Sequence, residues 1–222
     1  MKQVLGSRAS AKILFRALSL GVSAVFSFTT FCAEGDSPIE EAKGERRWGI
    51  QIGAAVITEN NIGQILTGTI DSAEGASEGE IYNLTLTYRA HRFHIPFRGG
   101  ELTPTFEPYA RFTLVNERDD TFPDYNAGVG FRWVDFPWNR WLTTTFYTGV
   151  GFSYSAHVLQ DDRQRHPGDR SHLKFDWPLQ LTFALPRWPE HQLVLFNDHQ
   201  SGGHIFDEGG VNCLGIGYRY EF

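Results

Sequence analysis

The chain has 222 residues, 41% of them apolar and 14% aromatic, enough for one domain with a sizeable core. It carries 20 Lys+Arg against 26 Asp+Glu with no basic block, which argues against a nucleic-acid partner. A mean hydropathy of −0.31 excludes a helical membrane protein, and abundant Phe, Tyr and Gly beside a single Met suit strands and turns better than packed helices.

The first 16 residues hold Lys2, Arg8, Lys12 and Arg16 and no acid, and an apolar run from Ala17 to Phe31 follows. Cys32-Ala33 and the polar Glu34-Gly35-Asp36 come next, so residues 1–33 read as a secretory signal peptide cleaved after Ala33. The run is short for a membrane anchor, and bulky Phe31 argues against a lipidated Cys32. Removing four bases takes the formal charge from −6 to −10, and only Cys213 remains, so no internal disulfide is available in the oxidising compartment. Residues 34–46 are polar and read as a flexible periplasmic lead-in, with residues 47–222 forming the folded domain.

Alternation with period two then recurs eight times. It runs through Trp48–Val56, Tyr82–Tyr88, Phe106–Leu114, Tyr125–Trp133, Phe146–Ser155, Leu173–Leu185, His191–Ser201 and Cys213–Phe222, with no convincing helix between. One face of nearly every segment carries large aromatic and aliphatic side chains. The other carries Gly, Ser, Thr and complementary charges, among them Glu107, Arg111, Arg132, Asp176, Arg219 and Glu221. A soluble lipocalin-like barrel would bury the large residues. Small and paired-charge residues instead suit the narrow interior of an all-β, eight-stranded antiparallel transmembrane barrel with its apolar face to lipid.

With a periplasmic N-terminus, the connections Glu59–Gly79, Asn116–Asp124 and His157–Ser171 are extracellular and read as long. The periplasmic Phe136–Arg140 and Pro186–Glu190 are short, and His91–Glu101 is the least tidy of that set. Trp48, Trp133, Trp138, Trp141 and Trp188 fall near periplasmic strand ends, as an interfacial girdle requires. The expected location is the outer membrane.

A barrel this small leaves no pore, and G-x-S-x-G, C-x-x-C and phosphate-loop motifs are absent. His91 and His94 lie in a turn rather than on a helix and are not read as a metal site. The charged loop Asp161–His172, with His166 inside it, reads as solvated or as a contact for lipopolysaccharide phosphates and sugars. The chemistry-bearing element is His199-Gln200-Ser201-Gly202-Gly203, ending the seventh strand. His199 and Ser201 are two residues apart on a strand and share a face, so the imidazole can act as base to the hydroxyl. Their strand runs upward, which puts them level with the outer leaflet.

These residues, with Gly210-Val211-Asn212 and the ending Tyr218-Arg219-Tyr220-Glu221-Phe222, resemble the outer-membrane lipid A 3-O-deacylases (PagL-type, also termed acyloxyacyl hydrolases). The resemblance covers about a tenth of the chain. It implies a barrel that hydrolyses an ester-linked acyl chain of lipid A or lipopolysaccharide, with Ser201 as nucleophile and His199 as base. Asn212 stands where the best-characterised members carry an acid, and the spacing from Ser201 to Asn212 is one residue short. Alternation places Asn212 on the lipid-facing side with Leu214 and Ile216, so it is expected to orient His199. Asp207 and Glu208 are the loop carboxylates that could take that role, whereas Asp198 points to the other face. The expectation is a hydrolase of the Gram-negative outer membrane, with no cofactor and no metal. The alternative is a non-catalytic small barrel with a structural or adhesive role. The acyl position cleaved and a homodimer stay open.

Overall fold

The computed structural model describes residues 46–222 apart from 69, 75–77, 98–99 and 166–167. The expected leader (1–33), the lead-in (34–46) up to its last residue, and His166 lie outside the described residues. In chain order the elements are β1 (Trp48–Thr58), α1 (Ile62–Leu66), β2 (Gly79–Tyr88), β3 (His91–Arg92), β4 (Ile95–Phe97), β5 (Gly100–Leu102) and β6 (Thr105–Glu117). They continue with β7 (Thr121–Trp133), β8 (Thr143–Ser155), α2 (Gln160–Arg165), β9 (Leu173–Ala184), β10 (His191–Ser201) and β11 (Gly210–Glu221).

The eight long strands pair antiparallel in the order β2-β1-β11-β10-β9-β8-β7-β6, and the further pairing of β2 with β6 closes the sheet into a barrel. Closure leaves no open edge, the condition for backbone to cross lipid with every polar group satisfied. The two-residue β3 adds beside β6, while β4 and β5 form a separate hairpin.

Alternation decides which side chains meet lipid. Ile52, Leu84, Leu86, Phe112, Val150, Phe152 and Leu195 face outward and are exposed. A continuous apolar surface of that kind would aggregate in water and is stabilised by the hydrocarbon of a bilayer. At the end where β1 begins and β11 finishes, Trp48, Trp138, Trp141 and Trp188 are exposed. The Arg140 and Arg187 guanidinium groups lie 3.7 and 4.1 Å from the Trp141 and Trp188 ring centres, as expected where headgroups begin.

Inside, the small residues make room for large polar ones. Gly128 pairs with Gly151 and Gly130 with Gly149 across β7 and β8. A Cβ on Gly151 would lie 2.5 Å from the Tyr109 hydroxyl, and one on Gly130 2.6 Å from that of Tyr147. The glycine patch therefore lets both phenols cross the lumen. Near the periplasmic end, buried Glu107 meets Arg132 at 2.9 Å and Arg219 at 3.5 Å. Half-way up, Arg111 bridges Asp176 at 2.6 Å and Asp198, and Tyr109 donates to Asp176. Paired charges tolerate burial where single ones would not.

The extracellular mouth is sealed by an apolar cluster that includes Ile57, Ile81, Val115, Phe122, Leu159 and Val211. Above it Asp162 and Asp207 share Lys174 at 2.7 and 2.8 Å.

Three expectations change. The connection predicted as long at Asn116–Asp124 is a tight turn over residues 118–120, because Phe122 continues the alternation and buries in the mouth. Two short helices occupy the extracellular connections. Asn61 and Gln64 form a capping box on α1, and α2 buries Asp161 and Asp162, so its loop is anchored rather than merely solvated. Burial pushes the Asp161 carboxyl up, against the pull of the adjacent Arg165.

Candidate active site at the extracellular rim

β9, β10, β11 and β1 lie side by side, and their register sets one row of residues across the outer wall. Trp177 is opposite His199, His199 opposite Asn212, and Asn212 opposite Thr58. One step nearer the extracellular end, Phe175 is opposite Ser201 and Ser201 opposite Gly210. Side chains two apart on a strand share a face. His199 and Ser201 therefore face outward with the exposed Leu193 and Leu195.

His199 is held on two sides. Its Nδ1 lies 3.0 Å from Asn212 Oδ1, and its ring meets Trp177 edge-on at 6.2 Å and 87°. A Cβ built on Gly210 would sit 3.5 Å from His199 Cε1 and 3.4 Å from the Ser201 Cβ. Gly210 thus keeps open the gap that the imidazole and the hydroxyl both flank. The Ser201 hydroxyl makes no hydrogen bond among the described residues. The hydroxyl is available in this state rather than engaged.

The glycines after Ser201 have separate duties. A Cβ on Gly202 would run into both the carboxylate and the backbone of Asp207, so a side chain there would force the loop itself to shift. Gly203 (φ 60°) and His204 (φ 58°) then make a left-handed pair, with Ile205 N–H donating to Gly202 C=O at 3.0 Å.

The sequence-predicted residues separate cleanly. The fold brings His199, Ser201 and Asn212 into one outward-facing neighbourhood. Asp198 points into the lumen, onto Arg111. Asp207 accepts from Lys174 and from the N–H groups of Ser171 and Gly209, and is committed to that side of the loop. Burial alone would raise its carboxyl, but these donors outweigh burial and hold it below the usual value. Glu208 is exposed. His94 pairs with Glu101 at 3.0 Å and His91 packs edge-on against Phe93. No cluster of three metal-ligating side chains occurs among the described residues.

Two residues that pattern reading passed over also border the site. Trp177 walls His199 on β9; an aromatic opposite a candidate base was visible only once register was known. Asn60, from the β1–β2 connection, accepts a hydrogen bond on its carbonyl from Asn212 Nδ2 at 2.9 Å. No local signal marks it, because it lies 152 residues away in the chain.

No family model matches the chain, and no curated protein matches it in sequence. Among solved structures it is similar to the outer membrane enzyme PagL, with 12% identity over 78% of this chain and 99% of that one, at a TM-score of 0.52. It is less similar to Ail, the attachment invasion locus protein of Yersinia pestis, with 14% identity over 80% of this chain and 99% of that one (TM-score 0.44). For the outer membrane protein OprG of Pseudomonas aeruginosa the values are 11%, 79% and 97% (TM-score 0.31). At these identities the likeness is one of fold. Together with the closed sheet and the lipid-facing belt, it defines the class. The protein is an eight-stranded outer-membrane β-barrel.

Proposed function

We propose that the barrel is a serine esterase of the outer leaflet that removes an ester-linked acyl chain from lipid A. The observation that carries this reading is the outward-facing row Trp177–His199–Asn212 with Ser201 one step above it, open to a lipid arriving sideways.

In this mechanism the Asn212 carbonyl accepts His199 Nδ1–H, which leaves Nε2 unprotonated. Nε2 takes the Ser201 proton as Oγ attacks the ester carbonyl and a tetrahedral oxyanion forms. Collapse breaks the bond to the sugar oxygen, which takes the proton from His199 and leaves as a hydroxyl. Water activated by the same imidazole then attacks the acyl-serine, releases the fatty acid and restores Ser201. Asn212 orients the ring but brings no charge to the imidazolium, so turnover is slower than with a carboxylate there.

Substrate class is supported by the height of Ser201 in the membrane, by the apolar wall of Leu193, Leu195 and Trp177 below it, and by the resemblance of the His-x-Ser element to lipid A deacylases. Mass spectrometry of lipid A from cells with and without the protein tests the reading. The expected result is a species lighter by one acyl chain, absent with Ser201→Ala. Unchanged lipid A would favour the non-catalytic structural or adhesive barrel.

A further inference from the structure

An asparagine amide has two ends of nearly equal shape and opposite chemistry, an oxygen that accepts and an NH2 that donates. With the oxygen toward His199, Nδ1 carries the proton and Nε2 is free to act as base. With the NH2 toward His199, the tautomer reverses and the imidazole cannot take a proton from Ser201. Asn212 alone does not choose between these arrangements.

The choice lies in the connection between β1 and β2. Asn212 Nδ2 donates to the carbonyl of Asn60 at 2.9 Å, and a flipped amide would set its oxygen against that carbonyl oxygen. A backbone carbonyl can only accept, so the contact fixes one orientation. Asn60 is itself clamped. Its N–H donates to Thr58 Oγ1 at 3.2 Å, its Nδ2 donates to Asp71 Oδ2 at 3.2 Å, and its Oδ1 accepts the Asp71 N–H. Glu59 N–H to Asp71 C=O at 3.2 Å and Ala73 N–H to Ile57 C=O at 2.9 Å bind the returning leg of the connection to the end of β1. Thr58, Asn60 and Asn212 are all buried although Thr58 and Asn212 point to the outer face, so this loop covers the back of the His199–Asn212 pair.

We propose that Asn60, clamped by Asp71 and Thr58, is a positioning residue that sets the Asn212 amide and through it the tautomer of His199. The consequence for rate rests on the esterase reading; the tautomer does not.

The test uses the full-length barrel in detergent micelles, with heat-modified gel mobility as the check that each variant is folded. Asp71→Ala and Asn60→Ala remove the side-chain anchors of the clamp, and Asn212→Asp supplies two equivalent oxygens, so that a flip changes nothing. Nitrogen-15 NMR of His199 is expected to show the Nδ1–H tautomer in the parent protein and a mixture of tautomers in both clamp variants. On lipid A, each clamp variant is expected to lower kcat about twofold with KM unchanged. Losing the roughly tenfold bias that one net hydrogen bond supplies takes the productive tautomer from about nine in ten to about half. Combined with Asn212→Asp, the same substitutions are expected to lose that effect, because an acceptor faces the ring in either position. An Nε2–H tautomer in the parent protein, an unchanged tautomer in both clamp variants, or equal losses in the two backgrounds would overturn the proposal. If the tautomers shift as expected but no variant hydrolyses lipid A, the positioning role stands and the esterase reading falls.

Discussion

Two polar clusters of the barrel lie on opposite sides of one wall, and they are built differently. The lumen cluster joins Arg111 to Asp176 and Asp198 with full charges and short contacts. The outer cluster joins His199, Asn212 and Asn60 through neutral groups and borders the Ser201 hydroxyl, which has no hydrogen-bond partner among the described residues. Asp198 and His199 are neighbours in the chain, so alternation alone sends one to each. On the proposed reading, the difference separates holding from reacting. Inside, charge pairs span strands distant in sequence and fix the barrel's cross-section. Outside, on the lipid face, an unpaired charge would carry a large desolvation penalty, and a neutral chain of amides is the arrangement that the hydrocarbon edge tolerates.

The sharpest way to break this comparison is to cut each cluster at its centre. Ser201→Ala and His199→Ala are expected to lower lipid A hydrolysis about a thousandfold or more each, the double variant falling little further, with unfolding midpoint unchanged. Arg111→Ala is expected to do the reverse. It leaves Asp176 and Asp198 buried without their cation and should lower stability by about 3–5 kcal/mol, read from urea unfolding in micelles. A Ser201→Ala barrel that unfolds early, or an Arg111→Ala barrel as stable as its parent, would erase the distinction.

Charge at the third position sharpens it further. Asn212→Ala removes the acceptor at 3.0 Å from His199 Nδ1 and should lower kcat by about tenfold. Asn212→Glu, which returns a carboxylate, should preserve or raise it. If Asp207→Ala abolished hydrolysis while Asn212→Ala left it unchanged, the third member would be the loop carboxylate despite its contacts to Lys174.

Much of this was legible from the sequence, and the reasons are physical. Period-two alternation is set by strand geometry, so the eight strands, their lumen and lipid faces, and the shared face of His199 and Ser201 follow without knowledge of register. What failed depended on contacts distant in the chain. The turn at 118–120 is short because Phe122 finds an apolar mouth built from β1, β2, β6, β10, β11 and two extracellular connections. The acids of α2 bury because Lys174 and Arg165 reach them. Trp177 and Asn60 join the site only through pairing that no local pattern encodes.

The loop closing β10 onto β11 gives the pH test. Asp207 has its carboxyl held below the ordinary 3.8 by Lys174 and two backbone N–H groups. A carboxyl depressed on folding contributes stability that is present above its unfolded value and is lost as pH falls toward the folded one. The parent barrel is therefore expected to lose more unfolding midpoint than Asp207→Asn between about pH 5 and pH 3. Parallel acid profiles for the two would mean that Asp207 contributes nothing as an anion.

The smallest expected effect lies in the same loop. His204 is the only residue other than glycine with a positive φ among the described residues, at 58°, beside Gly203 at 60°. A Cβ in that left-handed region is crowded by the carbonyl that follows, at a cost of about 1 kcal/mol that glycine avoids. Glycine is also freer in the unfolded chain, which offsets part of the gain. His204→Gly should thus raise stability by about 0.5 kcal/mol or less, and His204→Asn, a residue that tolerates this region, should be close to neutral. Because the turn holds Gly202 and Asp207 but no member of the outer cluster, hydrolysis should be unaffected by either. A loss of hydrolysis in His204→Gly without loss of stability would place the His204 imidazole in the chemistry and redraw the boundary between the two clusters.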